Sequence, residues 1–419
     1  MSDGYVLAID QGTSGSTALL IDQSIRLVAA ATQEFRMVYP QPGWVEQEPE
    51  AIWTSVHGAV QAVLDKSRVA ANDIAAIGIT NQRETCLFWD RDSGEPMQNA
   101  IVWQDRRTAG RCEALTAAGL ADEIRARTGL VIDPYFSGTK AEWMLRKHAG
   151  AARAAGQGKL LFGTIDAWLS WRLCGAHVTD ATNASRTMLF NLHDGEWDDM
   201  LLEQFAVPRA CLPEIVDSSQ VYGQTQGVGF LPDGIPVAGL IGDQQGALFG
   251  QACFDEGMAK CTYGTGAFVL LNTGNTPVIS TGGMLGTVAW RLGGESTFAL
   301  EGSAFIAGAA VRWLRDGLGL ITDTDDVEAL AAKVPDSGGV VFVPALSGLG
   351  APHWRPDARG LIHGITGGTT RAHIARATLE GIGLQIADIL SAMHAEHDVP
   401  LSELRVDGGA SMNNLSLIH

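Results

Sequence analysis

Apolar positions come in short runs over the first 35 residues, "YVLAID", "STALLI" and "IRLVAAATQEF", separated by turn-forming residues. Runs and connections this short predict an antiparallel meander. The period then changes. In "EPEAIWTSVHGAVQAVLDKS", Ile52, Trp53, Val56, Val60, Val63 and Leu64 fall on one helical face, with Pro49 at the helix start. The next run, "IAAIGIT", is short enough for a buried strand and ends in the polar cluster "NQRET". Strand and helix signals alternate from there, "KLLFGT" before "IDAWLSWRL" and "PVAGLIG" before "DQQGALFGQ". Alternation of this kind predicts an α/β fold rather than a sandwich or a bundle.

Near residue 257 the opening pattern recurs. "GMAKCTYGTGAFVLLNTG" is again strand, Gly/Thr turn, strand, followed by "GTVAWRL", "STFALEG" and the helical "AFIAGAAVRWLRDGLG". A long helical stretch, "RAHIARATLEGIGLQIADILSAMHA", then leads into "LRVDGGASMNN". The pattern predicts two related α/β halves with a boundary near residue 250, residues 1–250 and 251–419. "GGASMNNLSLIH" stops where a helix begins, so the expectation is a second domain cut short or an unusual tail.

A length of 419 residues suits two or three domains. Hydrophobic residues at 46% and charged ones at 18% are ordinary for a folded, soluble chain. The net charge of −18 argues against a nucleic-acid or anionic-membrane surface, both of which want clustered Lys and Arg. It leaves ATP open, because only the local field at a site matters. Six cysteines without a CxxC pair, and no N-terminal apolar segment, predict reduced thiols in the cytoplasm. No apolar run is long enough to suggest a membrane span.

The first hairpin reads "AIDQGTSGSTALLID". A phosphate needs converging N–H donors, hydroxyls, and a nearby carboxylate to hold Mg²⁺. Gly12, Thr13, Ser14, Gly15 and Ser16 offer the donors and Asp10 the carboxylate. Such turns are common and most bind nothing. "YGTG" at 263–266 nevertheless offers the same chemistry from the second half, and "VDGGASMNN" adds a third Gly-rich turn with Asn413 as a hydrogen-bonding group. Gly308 and Arg312, four apart, share a helix face.

Arg83 and Glu84 in "NQRET" follow a buried strand, at the edge where α/β sheets commonly bind ligands. The commoner fate of such a pair is a solvated surface contact. Asp243 in "GDQQ" has the same placement and is either a base for an attacking hydroxyl or an N-cap. Trp103 and Tyr135 can wall a small pocket or fill the core. His353 and the other histidines lack metal-ligand spacing, and neither a GxSxG nor a Walker A sequence occurs. Serine-hydrolase and P-loop chemistry are thereby disfavoured.

Together, "AIDQGTSGS", "GITNQRET", "NAIVWQDRR", "GLVIDPYFSGTK", "TNASRTMLFN", "GDQQGALFGQ", "GMAKCTYGTG", "GLGAPHW" and "VDGGASMNN" resemble the FGGY carbohydrate kinase family, in the family's order and over nearly the whole chain. The resemblance is to members that phosphorylate glycerol. It implies two ribonuclease-H-like domains of the actin and sugar-kinase superfamily around a central cleft, and ATP-dependent conversion of glycerol to sn-glycerol 3-phosphate. It places Arg83, Glu84, Tyr135, Asp243 and Gln244 on the glycerol hydroxyls, Trp103 and Phe268 against its carbons, and Asp243 as general base. The nucleotide would meet Thr13, Ser14, Gly15, Thr17, Thr265, Gly308, Arg312, Gly409 and Asn413, with Mg²⁺ near Asp10 and Asp243. The implied partners are glycerol and ATP or ADP, with no nucleic acid and no membrane span, in a cytoplasmic homo-oligomer.

Three departures from the family pattern carry expectations. Thr17 stands where Arg is usual, which should weaken polyphosphate binding or slow transfer; Arg312 stands where Gln is common and alters contacts beside the nucleotide. The early ending predicts poor stability or reduced activity. The loop "TQGVGFLPDGIPV" lacks the Arg that some relatives use for sugar-phosphate regulation, so none is expected there. The alternatives are a kinase for another polyol or sugar such as xylulose or gluconate, an impaired homologue, and an ATP-driven binding module like actin. The last would have no use for Arg83, Glu84 and Asp243 around a small pocket.

Overall fold

The computed structural model describes residues 4–396, 399–413 and 415. Contacts divide the chain into two units, Met1–Gly246 with Thr287–Thr297, and Ala247–Gly286 with Phe298–His419. The first opens with the expected meander, β1 (Tyr5–Gln11), β2 (Gly15–Ile21) and β3 (Leu27–Glu34), followed by helix α1 (Pro49–Ser67) and β4 (Ile74–Asn81). After β5 (Cys86–Asp90) come α2 (Ser137–Lys147), β6 (Leu160–Thr164), α3 (Ile165–Cys174) and the one-turn α4 (Ala181–Ala184). The strands β7 (Ser219–Gln224) and β8 (Pro236–Gly242) lead into α5 (Asp243–Gly250).

The six-stranded sheet runs β7-β8-β4-β1-β2-β3. Alternation sends Leu7, Ile9, Ala18, Leu20, Ile77 and Ile79 inward, where the predicted face of α1 covers them with Ile52, Val56, Val60 and Val63. Strand β4 lies parallel to both β1 and β8, so their C-terminal ends finish together: Gln11 and Gly242 both pair with Asn81. That shared edge delivers Asp10, Arg83, Glu84 and Asp243 to one place.

A polar pocket sits inside this unit at the start of α3. Asp166, fully buried, accepts from the Thr164 hydroxyl at 2.5 Å and the Thr179 hydroxyl at 2.6 Å. Burial, with the nearby negative charge of Asp180, pushes its carboxyl up to about 7. The folded state therefore holds a proton that the unfolded chain loses near pH ~4, so stability falls as pH rises from there to about 7. Asp166→Asn copies the protonated form. Its melting temperature relative to the parent should rise between about pH 4 and about pH 7, by an amount equivalent to ~1–3 kcal/mol, in thermal scans across that window.

Further along the chain come β9 (Met258–Tyr263), β10 (Ala267–Gly274), β11 (Leu285–Leu292), β12 (Glu295–Ala304), α6 (Gly308–Asp316), α7 (Arg371–Glu396) and β13 (Glu403–Asp407). A five-stranded sheet runs β11-β12-β10-β9-β13. Strand β9 is antiparallel to β10 and parallel to β13, which repeats the relation of β1 to β2 and β4. Ala259, Cys261, Val269 and Leu300 pack beneath Leu314 of α6 and Leu379, Ile382 and Ile386 of α7.

One helix start differs from expectation. Sequence periodicity begins it near Ala304, but Ala304 is held in the sheet opposite Ala267, and α6 begins only at Gly308. There the Gly308 N–H bonds the Gly264 carbonyl at 3.0 Å, and a Cβ would lie 2.6 Å from that oxygen. The turn and the helix start are thus fastened together, and only glycine fits the approach. Among the described residues no helix is long and apolar enough to cross a membrane.

Candidate active site

The β1–β2 turn closes on itself, since the Gly12 N–H donates to the Gly15 carbonyl at 2.8 Å. Ser14 is exposed and Thr13 half-buried at the tip. Ser16 is a correction to the sequence reading. It points inward with Ala18 and Leu20, pairs with Gln11 in the ladder, and shares a hydroxyl bond with Ser55 at 2.7 Å, so it is not a phosphate donor. Gly12 likewise spends its N–H inside the turn. Gly15 is required for packing: a Cβ there would lie 2.8 Å from the Gln33 carbonyl oxygen. Thr17 pairs with Asp10 across the hairpin, and its hydroxyl is bonded to that of Thr32 at 2.9 Å.

Asp10 is largely buried, and that burial together with the charge of Asp243 raises its carboxyl to about 6. The two carboxylates therefore sense each other. Arg83 lies against Asp243, Nε to Oδ1 3.3 Å, and donates from Nη1 to Gln245 Oε1 at 3.2 Å. Arg83 and Glu84 are both buried, so the solvated-pair reading fails for them. Glu84 has φ of +61°, a left-handed backbone rare outside glycine. It is held there by Ser137, whose hydroxyl donates to the Glu84 carbonyl at 2.8 Å, and by Arg186, whose Nε donates to Glu84 Oε1 at 2.7 Å.

Asp243 heads α5 and accepts the Gln244 N–H at 2.7 Å, with about a third of its side chain open to solvent. Trp103 and Tyr135 meet edge to face at 5.7 Å, and the Trp103 indole donates to the Thr13 hydroxyl at 2.9 Å. The first unit thus gathers a carboxylate partly open to solvent, a buried guanidinium, a second buried carboxylate and two aromatic walls. Such a set fits a small polyhydroxylated molecule.

In the second unit, Thr265, Gly308, Arg312, Gly409 and Asn413 line one cavity of about 860 Å³. The face shared by Gly308 and Arg312 also presents Val311 and Arg315 to it. Arg312 donates from Nη2 to the Thr265 hydroxyl at 2.9 Å. Phe268 belongs to this unit, half-buried on β10. Residues 5–250 match the N-terminal domain of the FGGY family of carbohydrate kinases, and residues 259–417 its C-terminal domain.

The chain belongs to the FGGY family of carbohydrate kinases.

It is 57% identical over 413 residues to a glycerol kinase of Trichlorobacter lovleyi, covering 98% of this chain and 83% of that one. A glycerol kinase of Myxococcus xanthus is 56% identical over 415 residues, 98% of this chain and 84% of the relative. The crystal structure of Plasmodium falciparum glycerol kinase with ADP superposes with a TM-score of 0.92 at 37% identity, covering 99% of this chain and 83% of that chain.

Several residues of this FGGY kinase that support the site escape sequence reading. Gln11, Gln47 and Gln82 are buried together. Gln82 Nε2 reaches Gln11 Oε1 at 2.9 Å and Gln47 Oε1 at 2.9 Å, while Gln47 Nε2 donates to the Thr13 carbonyl at 2.7 Å. Lone glutamines carry no periodic signal. Arg186 lies within "TNASRTMLFN", but its partner Glu84 is 102 positions away and no local signal links the two.

Proposed function

We propose that this protein catalyses the ATP-dependent phosphorylation of glycerol to sn-glycerol 3-phosphate. The observation that carries the reading is the buried Arg83–Glu84 pair beside Asp243, Trp103 and Tyr135, in a chain 57% identical to a glycerol kinase. Arg83, Glu84, Tyr135, Asp243 and Gln244 bond the three hydroxyls, while Trp103 and Phe268 contact the carbons. A pocket that bonds each hydroxyl rejects analogues lacking one, because its buried polar groups would be left unpaired. Arg83 fixes Asp243 from one side, leaving the carboxylate to take the proton of the attacking hydroxyl as the γ-phosphoryl group is transferred.

Thr13, Ser14, Gly15 and Thr17 face the phosphates, and Thr265, Gly308, Arg312, Gly409 and Asn413 hold the nucleotide. The donor set fits Mg²⁺: hard carboxylate oxygens from Asp10 and Asp243, whose mutual repulsion a divalent cation relieves. Mg²⁺ usually keeps several waters and takes phosphate oxygens, so one or two protein carboxylates suffice for it. Bound Mg²⁺ would neutralise phosphate charge during transfer. The family resemblance further suggests a cytoplasmic homo-oligomer, and light scattering on purified protein checks the oligomeric state.

Phosphorylation rates on glycerol, xylulose and gluconate test the substrate. Glycerol should lead in kcat/KM by at least ~100-fold, and equal rates on either sugar would overturn the choice. Trp103→Phe keeps an aromatic wall but loses the bond to Thr13. It should lower kcat/KM for glycerol about fivefold, near 1 kcal/mol, in steady-state kinetics.

A further inference from the structure

The strand ends that carry Asp243 and Arg83 are tied to a third element, the one-turn α4, by a buried polar chain in the first unit. The Gly242 N–H, immediately before Asp243, donates to the Thr182 hydroxyl oxygen at 2.9 Å. That hydroxyl donates its own proton to Asp180 Oδ1 at 2.7 Å. Its proton is therefore committed, and a lone pair polarised by the carboxylate faces Gly242. Asn183 is the second tie. Its Nδ2 donates to Asp180 Oδ1 at 3.0 Å and to Asn81 Oδ1 at 3.1 Å. Asn81 Nδ2 returns a bond to Asn183 Oδ1 at 3.0 Å and donates to the Gln82 carbonyl at 2.9 Å, one residue before Arg83.

Asp180 is further fixed by the Thr182 and Asn183 backbone N–H groups at 3.2 and 3.0 Å and by the Ser218 hydroxyl at 2.7 Å. Asp180, Thr182, Asn183 and Asn81 are all fully buried. Position 242 has little slack: a Cβ there would lie 2.8 Å from Arg83 Cδ and 2.9 Å from Gln245 Oε1. A shift of this peptide therefore moves Asp243 and disturbs the bed of Arg83 together.

We propose that Thr182, anchored by Asp180, is a positioning residue for the reaction, holding the Gly242 peptide so that Asp243 and Arg83 keep their mutual geometry. The proposal rests on the assignment of Asp243 as base. Because a misplacement of about 1 Å costs on the order of 100-fold in rate, loss of this tie acts on kcat more than on ground-state binding.

The test compares Thr182→Val and Thr182→Ser in the full chain, with kcat, KM for glycerol, ADP affinity and melting temperature measured on each. Thr182→Val should lose about 10–100-fold in kcat, with KM and ADP affinity within about threefold. Thr182→Ser, which retains the hydroxyl, should recover kcat to within about threefold. A folded Thr182→Val with parental kcat overturns the proposal, and so does equal loss in both variants, which would assign the effect to methyl packing. Thr182→Ala gives the same reading should the valine variant not fold. Hydrogen exchange of the Gly242 amide in the unaltered protein needs no variant: slow exchange supports the tie and unprotected exchange removes it. If the unaltered protein does not phosphorylate glycerol, the functional reading fails instead.

Discussion

Asp243→Asn should lower kcat for glycerol phosphorylation by about 10²–10⁴-fold, the usual contribution of a positioned base, while ADP binds within about twofold of the parent. The asparagine keeps the oxygen that accepts the Gln244 N–H and faces Arg83 Nε, so local structure is largely preserved. What it loses is the capacity to take a proton. The five candidate nucleotide residues of the second unit line a cavity whose lining does not include Asp243, which is why nucleotide affinity should be spared. Stopped-time product assays with parallel calorimetry of ADP binding read both quantities. Undiminished turnover would remove Asp243 as base.

Arg83→Ala should cost about 10³-fold in kcat/KM, because one buried guanidinium serves several partners at once. Its Nε lies 3.3 Å from Asp243 and 4.0 Å from Glu84, and its Nη1 bonds Gln245. Glu84 keeps Arg186 at 2.7 Å, so the stability loss should stay near the low end of the ~3–5 kcal/mol seen when a buried pair is broken. Arg83→Lys restores charge but not the planar fork, and should remain at least ~10-fold impaired. Steady-state kinetics with denaturant unfolding separates the two effects. A lysine variant with parental kcat/KM would reduce Arg83 to a simple counter-charge.

Much of this fold is written in local periodicity. The meander, α1 with its buried Ile52, Val56, Val60 and Val63, and the second Gly/Thr hairpin all follow from spacing along the chain. The inward turn of Ser16 was legible by the same logic, since period two along β2 groups it with Ala18 and Leu20. Residue type alone does not separate Ser16 from the exposed Ser14; strand phase does. The delayed start of α6 was not legible locally, because it depends on Ala304 pairing with Ala267 and Gly308 bonding Gly264.

The site divides along the same line. Arg83, Glu84 and Asp243 stand out as polar groups directly after apolar strands, a signal carried in sequence. Arg186, Thr182 and the three glutamines act through contacts between distant segments: Gln82 meets Gln11 across 71 positions, and Arg186 meets Glu84 across 102. No window along the chain contains both members of those pairs. Motif resemblance marked the neighbourhood of Arg186 and Thr182 without giving either a role.

Glycerol-dependent release of ADP by this chain, with ATP and Mg²⁺ present and product identified by phosphorus NMR, tests the central claim most directly. The account predicts ADP release that requires glycerol and matches sn-glycerol 3-phosphate one for one. ADP release that is indifferent to glycerol, or the absence of that product while ATP is bound, would contradict it.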